Sequence, residues 1–184
     1  MLPDKYVDGV KRHRKNRYLI KHLTISFLLL GSMYIFGPLI HEASHVLWLE
    51  AVNCYYTSQI NFNFLIGFNG AIQPLCHLGK SSLIIFYSAG YASTILAGMT
   101  LILVGDIGDK IDDYLIAAGV GMLLSALMTV NLKGDLANLV SVLGLSELNF
   151  MAVSTFITLG LLGTSVKAVE ILVGSLEREE GSTD

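Results

Sequence analysis

Four apolar stretches, each long enough to cross a lipid bilayer, constrain this chain more than any other feature of its sequence. A membrane-spanning helix needs about 20 predominantly apolar residues, and the stretches run over residues 19–52, 81–104, 114–132 and 148–174. Only 15% of the 184 residues are charged, whereas soluble domains carry about 25%. We therefore expect a mainly α, integral membrane protein that is multi-pass, with about four transmembrane helices.

A basic segment precedes the first apolar stretch and predicts the topology. Seven of the 12 Lys and Arg residues fall within the first 22 positions, and such segments stay in the cytoplasm. The apolar run that follows is too long for a secretory signal and lacks a small-residue cleavage site. Beside a membrane span, we favour the lipid bilayer over nucleic acid as the partner of this cluster. The N-terminus is therefore expected to be cytoplasmic, and the loop between the first two spans faces away from the cytoplasm.

The composition divides the chain into three parts. Residues 1–18 form the basic segment, residues 19–176 form one membrane-embedded domain, and residues 177–184 form a polar tail. The segment 105–114, with its four Asp residues, is interpreted as a solvated acidic turn. Gly90, Thr94 and Gly98 recur every four residues, which is typical of a helix face that packs closely on another membrane helix.

The segment "HEASH" places His41, Glu42 and His45 inside the first apolar stretch. Ionisable side chains are costly in a membrane and usually serve a function there. Residues four apart share one face of a helix, so the two imidazoles suit two ligands of a tetrahedral zinc ion. Glu42 is then placed to act on a zinc-bound water. A polar cluster that only joins helices is the alternative interpretation.

A zinc site formed by two histidines needs a third protein ligand. Asp135 is the one carboxylate at the end of the third apolar stretch, and a buried carboxylate favours a nearby cation. Glu147, expected in a polar turn, and Glu170, three residues after Lys167, are the competing candidates. The sequence therefore predicts one Zn²⁺ ion bound by His41, His45 and Asp135.

A short β hairpin is expected between the first two spans, associated with the membrane. Residues 60–64 alternate apolar and polar side chains, which is the period of a strand, and Asn69-Gly70 is a favourable turn dipeptide. Asn69 and Gly70 are candidate supporting or substrate-binding residues, since a strand edge can pair with an extended substrate. A hairpin that plugs the cavity is the alternative. Cys54 and Cys76 lie in the same loop, either as a disulfide or as two free thiols.

Three motifs together resemble the site-2 protease family of intramembrane zinc metalloproteases, over residues 19–139. "HEASH" matches the zinc motif of that family, and "SAGYASTILAG" is similar to its "AGP" helix, with Tyr91 where proline is usual. "NLKGDLANL" keeps the asparagine and aspartate of the third motif, as Asn131 and Asp135, at a shorter interval and without the proline that usually follows the asparagine. The resemblance implies that Asp135 is a metal ligand and that Asn131 supports the site.

The expected function is therefore enzymatic. A zinc-dependent endopeptidase would hydrolyse peptide bonds in or near transmembrane segments of membrane proteins, with a zinc-bound water as nucleophile and Glu42 as general base. Its membrane-protein substrate would bind as an extended strand. A zinc protease with glutamate as third ligand is one alternative. A proteolytically inactive relative that acts as a metal- or partner-binding membrane protein is the other.

Overall fold

The computed structural model describes residues 4–63, 67–107, 112–128 and 134–181. Within them, a π-helical turn at Ser32–Phe36 joins the first two helices, and a two-stranded sheet follows. The helices are α1 Asp4–Gly31, α2 Gly37–Ala51, α3 Lys80–Asp106, α4 Asp113–Met128, α5 Asp135–Leu143 and α6 Glu147–Gly181, and the strands are β1 Tyr56–Asn63 and β2 Gly67–Pro74.

Three helical segments among the described residues are long and apolar enough to cross a membrane. They are Tyr18–Ala51, Lys80–Asp106 and Met151–Leu176. Helix α4 has 16 residues and is about 24 Å long, shorter than the roughly 30 Å hydrocarbon core. Residues 129–132, which end the predicted third stretch, lie outside the described residues. Length and composition thus support three of the expected spans, and the fourth stays a prediction.

The first candidate span continues through Pro38 because of the π turn. Proline has no N–H and interrupts the ordinary ladder of an α-helix. Here the Gly37 N–H donates to the Ser32 carbonyl, five residues earlier, and Pro38 falls in the first turn of α2, where proline is well tolerated. One continuous helix therefore carries His41 and His45 on its buried face.

Helix α4 lies at the centre of the packing. Its residues Ile116, Val120 and Leu123 are at most 1% exposed and belong to a cluster with side chains of α1, α3 and α6. A Cβ atom on Gly119 would lie 2.6 Å from the Gly98 carbonyl oxygen. The α3 and α4 backbones therefore approach closely, and the predicted small-residue face of α3 is buried.

The strands β1 and β2 pair antiparallel between α2 and α3, as the sequence predicted. The predicted turn at Asn69-Gly70 is wrong, because these residues lie inside β2, opposite Asn61 and Ile60. Residues 64–66, between the two strands in the sequence, lie outside the described residues. A disulfide between Cys54 and Cys76 closes the open end of the ladder, beyond the Tyr56–Pro74 pair. The cross-strand pairing of eight residue pairs outweighs the local turn preference of Asn69-Gly70.

A buried ion pair occupies the end of the molecule away from the histidines. The Lys21 ammonium of α1 lies 2.7 Å from an Asp113 carboxylate oxygen, and the Ser175 hydroxyl of α6 donates to the other oxygen. Asp113 is only 4% exposed, so its assignment to a solvated turn is wrong. The carboxylate faces inward because α1 and α6 supply its partners.

Candidate metal centre

Three side chains on α2 and α5 meet at one point. The Nε2 atoms of His41 and His45 lie 2.9 Å and 2.8 Å from the same carboxylate oxygen, Oδ2 of Asp135. Both histidines are buried, and the Asp135 side chain is 24% exposed. The candidate ligand atoms lie within 4.8 Å of one another. The three residues that the sequence assigned as ligands therefore form a group that could hold a metal ion.

Asp135 owes its position to the start of α5. It lies in the first helical turn, where the helix dipole favours a negative charge, and Leu136 and Val140 anchor the helix by packing on Tyr91 of α3. Burial alone would raise the pKa of the Asp135 carboxyl, but hydrogen bonds with His41 and His45 outweigh it and lower the pKa below its ordinary value. The group is thus ionised at neutral pH, as a metal ligand must be.

Helix α3 packs closely against the His41 ring. A Cβ atom on Gly90 would lie 2.5 Å from both Cε1 and Nε2 of that ring, so any larger residue would displace it. The Tyr91 ring makes an edge contact with the His41 ring, with 5.4 Å between centroids and an interplanar angle of 77°. Glycine and tyrosine at these adjacent positions therefore fix the plane of the imidazole.

The His45 ring is likewise oriented by packing. Its centroid lies 4.6 Å from that of Phe86, which is 2% exposed. Neither His41 Nδ1 nor His45 Nδ1 has a hydrogen-bond partner among the residues that the structure describes. Beside the rings, the hydroxyls of Ser44 and Ser93 are 2.5 Å apart and join α2 to α3. Ring contacts and this interhelical bond hold the two imidazoles in place.

Glu42 lies beside the candidate ligands and under the hairpin. A Cβ atom on Gly70 of β2 would lie 2.5 Å from Glu42 Cγ, 2.6 Å from Cδ and 2.9 Å from Oε1. Only a glycine allows the strand backbone to come this close. Gly70, predicted as a supporting or substrate-binding residue, is thus in contact with the predicted general base.

The remaining predicted site residues are not brought to the metal centre by any described contact. Asn131 lies outside the described residues, and for Asn69 only the backbone pairing within β2 is described. The competing ligand Glu170 instead pairs with Lys167 at 2.9 Å on the exposed face of α6. Gly90 and Phe86 were not predicted as site residues, because their contacts with the imidazoles depend on how α3 packs.

The chain was compared with known proteins at three levels. No family model, no curated protein and no solved structure matches it. The assignment of a function therefore depends on the chemistry of the site itself.

Proposed function

We propose that this protein is an intramembrane zinc metalloprotease that hydrolyses peptide bonds in or near transmembrane segments of membrane proteins. The observation that carries the proposal is the meeting of His41, His45 and Asp135 at one point, beside Glu42, in a chain with three helices apolar and long enough to span a bilayer. The motifs that resemble the site-2 protease family favour the same function.

The donor set favours zinc over harder cations. Zinc binds imidazole nitrogen and carboxylate oxygen, and catalytic sites have three protein ligands and one open position, whereas Ca²⁺ and Mg²⁺ prefer oxygen ligands throughout. A tetrahedral ion with bonds of about 2.0 Å separates its ligand atoms by roughly 3.3 Å. The two nitrogens lie 2.8 and 2.9 Å from the Asp135 oxygen, and all three candidate ligand atoms lie within 4.8 Å of one another, so the group is compact enough to hold one ion.

Peptide-bond hydrolysis at this site would use the metal, Glu42 and the hairpin in separate roles. Zinc in this site would supply Lewis acidity toward water and a peptide carbonyl. Glu42 takes a proton from the attacking water at its carboxylate and delivers it to the leaving amine. Gly70 restricts where that carboxylate lies. The hairpin also carries an outer strand edge, and an extended substrate segment would pair with it by strand addition.

The test is zinc analysis of the purified protein combined with cleavage of a membrane-anchored test substrate. Glu42→Gln removes the base without removing a ligand, and Glu50→Gln is the matched control because Glu50 is an exposed glutamate of the same helix. We expect one zinc per chain in all three proteins. Cleavage should fall by about 100-fold or more in Glu42→Gln only.

Two results would contradict the proposal. Loss of zinc in Glu42→Gln would show that the roles of base and ligand are wrongly assigned. Zinc bound by the wild-type protein without cleavage of any membrane substrate would favour the inactive, metal- or partner-binding relative.

A further inference from the structure

The disulfide at the base of the hairpin joins the ends of the two helices that form the site. Cys54 follows the last turn of α2, and Cys76 precedes α3. The strands leave this link in register, with Tyr56 opposite Pro74 and the Leu75 N–H donating to the Tyr55 carbonyl at 2.7 Å. The covalent link therefore holds the hairpin at a fixed place relative to α2 and α3.

Strand β2 contacts Glu42 directly and reaches the His45 ring through Phe86. Gly70 lies against Glu42. Ile72, two residues further and thus on the same face of the strand, is 8% exposed and packs in one cluster with Leu49 and Phe86. Phe86 in turn contacts the His45 ring. The packing of β2 against α2 and α3 is therefore coupled to the position of Glu42.

The hairpin depends on its base for stability. A two-stranded sheet alone is at best marginally stable in water, and a disulfide disfavours detached conformations by restricting the chain between its cysteines. Here 22 positions separate Cys54 from Cys76. Without the link, the detached states of the hairpin become more numerous and its contact with Glu42 is made less of the time.

We infer that the Cys54–Cys76 disulfide positions Glu42 for catalysis by holding Gly70 in contact with it. Reduction of this bond therefore lowers kcat while the metal stays bound. The inference rests on the proposed protease function. It assigns a positioning role to the two cysteines and makes activity depend on the redox state of the hairpin base.

The two cysteine residues differ in exposure, which favours attack at Cys76. Cys54 is 4% exposed, whereas Cys76 is exposed. A thiolate of a dithiol reductant attacks Cys76 Sγ, the S–S bond breaks, and Cys54 Sγ leaves as a thiolate that takes a proton. The second thiol of the reductant then closes its own disulfide and releases Cys76 as a thiol. Two electrons and two protons pass to the protein.

The fluorescence of Trp48 reports whether the hairpin is packed against the helices, and this signal does not depend on activity. It is the only tryptophan of the chain, and it packs against the buried cluster of Leu49, Cys54, Ile72 and Phe86. Loosening of β2 would expose the indole to a more polar environment. Its fluorescence emission should therefore shift to longer wavelength when the disulfide is reduced.

The experiment compares oxidised and reduced wild-type protein with zinc bound. A phosphine reductant, which is converted to its oxide with oxygen from water, avoids adding a thiol that competes for zinc. Alkylation and mass measurement count the free cysteines. We expect the shift in Trp48 emission, a fall in kcat of about tenfold or more, unchanged KM and zinc content, and recovery on reoxidation. Because the wild-type protein is reduced and then reoxidised, the test does not depend on whether a variant folds.

Variants separate the disulfide from other effects of the phosphine. Cys54→Ala/Cys76→Ala should have the low kcat of the reduced protein and not respond to the phosphine. Gly70→Ala, with its disulfide intact, should lower kcat and retain zinc, because the new Cβ displaces Glu42. The matched control is Gly79→Ala in the segment between β2 and α3, where a Cβ meets nothing within 4 Å, and it should retain full activity.

The outcomes distinguish this inference from the proposed function. Equal kcat in the oxidised and the fully reduced protein would overturn the inference and leave the protease function standing. Loss of zinc on reduction would also overturn it, since the disulfide would then support the ligands. If oxidised, zinc-loaded protein cleaves no substrate, the proposed function fails and the claim about kcat fails with it. Unchanged Trp48 emission on reduction would overturn the coupling between disulfide and hairpin.

Discussion

His41 owes its orientation to contacts that no local pattern in the chain specifies. The Gly90 backbone lies against one side of the ring and Tyr91 contacts it edge-on. Histidine ligands usually gain their orientation from a hydrogen bond on the second ring nitrogen. No such bond is present among the described residues, so packing by α3 takes over this role.

Gly90→Ala tests that dependence on packing. The added Cβ would meet the His41 ring at 2.5 Å and force Nε2 away from the other ligand atoms. We expect zinc affinity to fall roughly 10- to 100-fold, the range found when groups that orient metal ligands are lost. Titration with a fluorescent zinc chelator as competitor measures the change.

Gly160→Ala is the control for that substitution. Gly160 is also helical, but a Cβ there meets nothing within 4 Å, so zinc affinity should be unchanged. Equal affinities for the two variants would mean that α3 does not hold the imidazole in place.

The site residues that could be predicted are those whose evidence lies within a short stretch of the sequence. The spacing of His41, Glu42 and His45 is a property of one helical turn, and it sufficed to predict a common face. Asp135 was predictable because carboxylates are scarce near the apolar stretches. Gly90 and Gly70 were harder to assign roles to, because their contacts with His41 and Glu42 arise only when α3 and β2 pack on α2.

At the scale of the elements, one buried ion pair joins three helices. Asp113 at the start of α4 receives the Lys21 ammonium from α1 and the Ser175 hydroxyl from α6. Breaking a buried pair from one side leaves a desolvated charge without its partner, which is strongly destabilising. This cluster therefore joins α1, α4 and α6 at one end of the molecule.

Asp113→Asn should destabilise the fold without touching the metal centre. The substitution keeps the shape of the side chain and removes the charge opposite Lys21. We expect the free energy of unfolding to fall by about 3 kcal/mol, measured as loss of helical circular dichroism in a denaturant titration of protein in detergent.

The control for the ion pair is Asp106→Asn at the exposed end of α3, which should change stability by less than about 0.5 kcal/mol. Stability of Asp113→Asn equal to that of the wild type would contradict a structural role for the pair.

The elements differ in how well the sequence predicted them. The long apolar stretches predicted α3 and α6, since a stretch apolar enough to span a bilayer is expected to satisfy its backbone hydrogen bonds as a helix. The strands were also expected, but Asn69-Gly70 was assigned to a turn. The cross-strand pairing that places Gly70 opposite Ile60 joins residues ten positions apart in the sequence. A two-residue propensity does not contain that information.

For the whole molecule, the number of spans decides on which sides the termini lie. Three helices are long enough to cross, and α4 is shorter. If α4 also crosses, as the sequence predicts, both termini lie on the cytoplasmic side, where the basic N-terminal segment is expected. Whether or not α4 crosses, a cytoplasmic N-terminus would place the disulfide after the first span in the opposite compartment, where such bonds persist.

Epitope tags on both termini test this topology. With four spans, protease added to sealed vesicles should remove both tags when the cytoplasmic face is outside and neither when it is inside. Removal of one tag from each orientation would show an odd number of spans and contradict the crossing of α4. A protease-sensitive site placed within the hairpin serves as the internal control, because its orientation should be opposite to that of the tags.

X-ray absorption at the zinc edge would show whether His41, His45 and Asp135 together bind one zinc ion. For the wild-type protein we expect two imidazoles and further oxygen ligands at about 2.0 to 2.1 Å. In Asp135→Ala, one oxygen ligand from the protein should be lost, together with most of the zinc affinity. A spectrum without imidazole scattering, or an Asp135→Ala protein with the wild-type spectrum and affinity, would contradict this set of ligands.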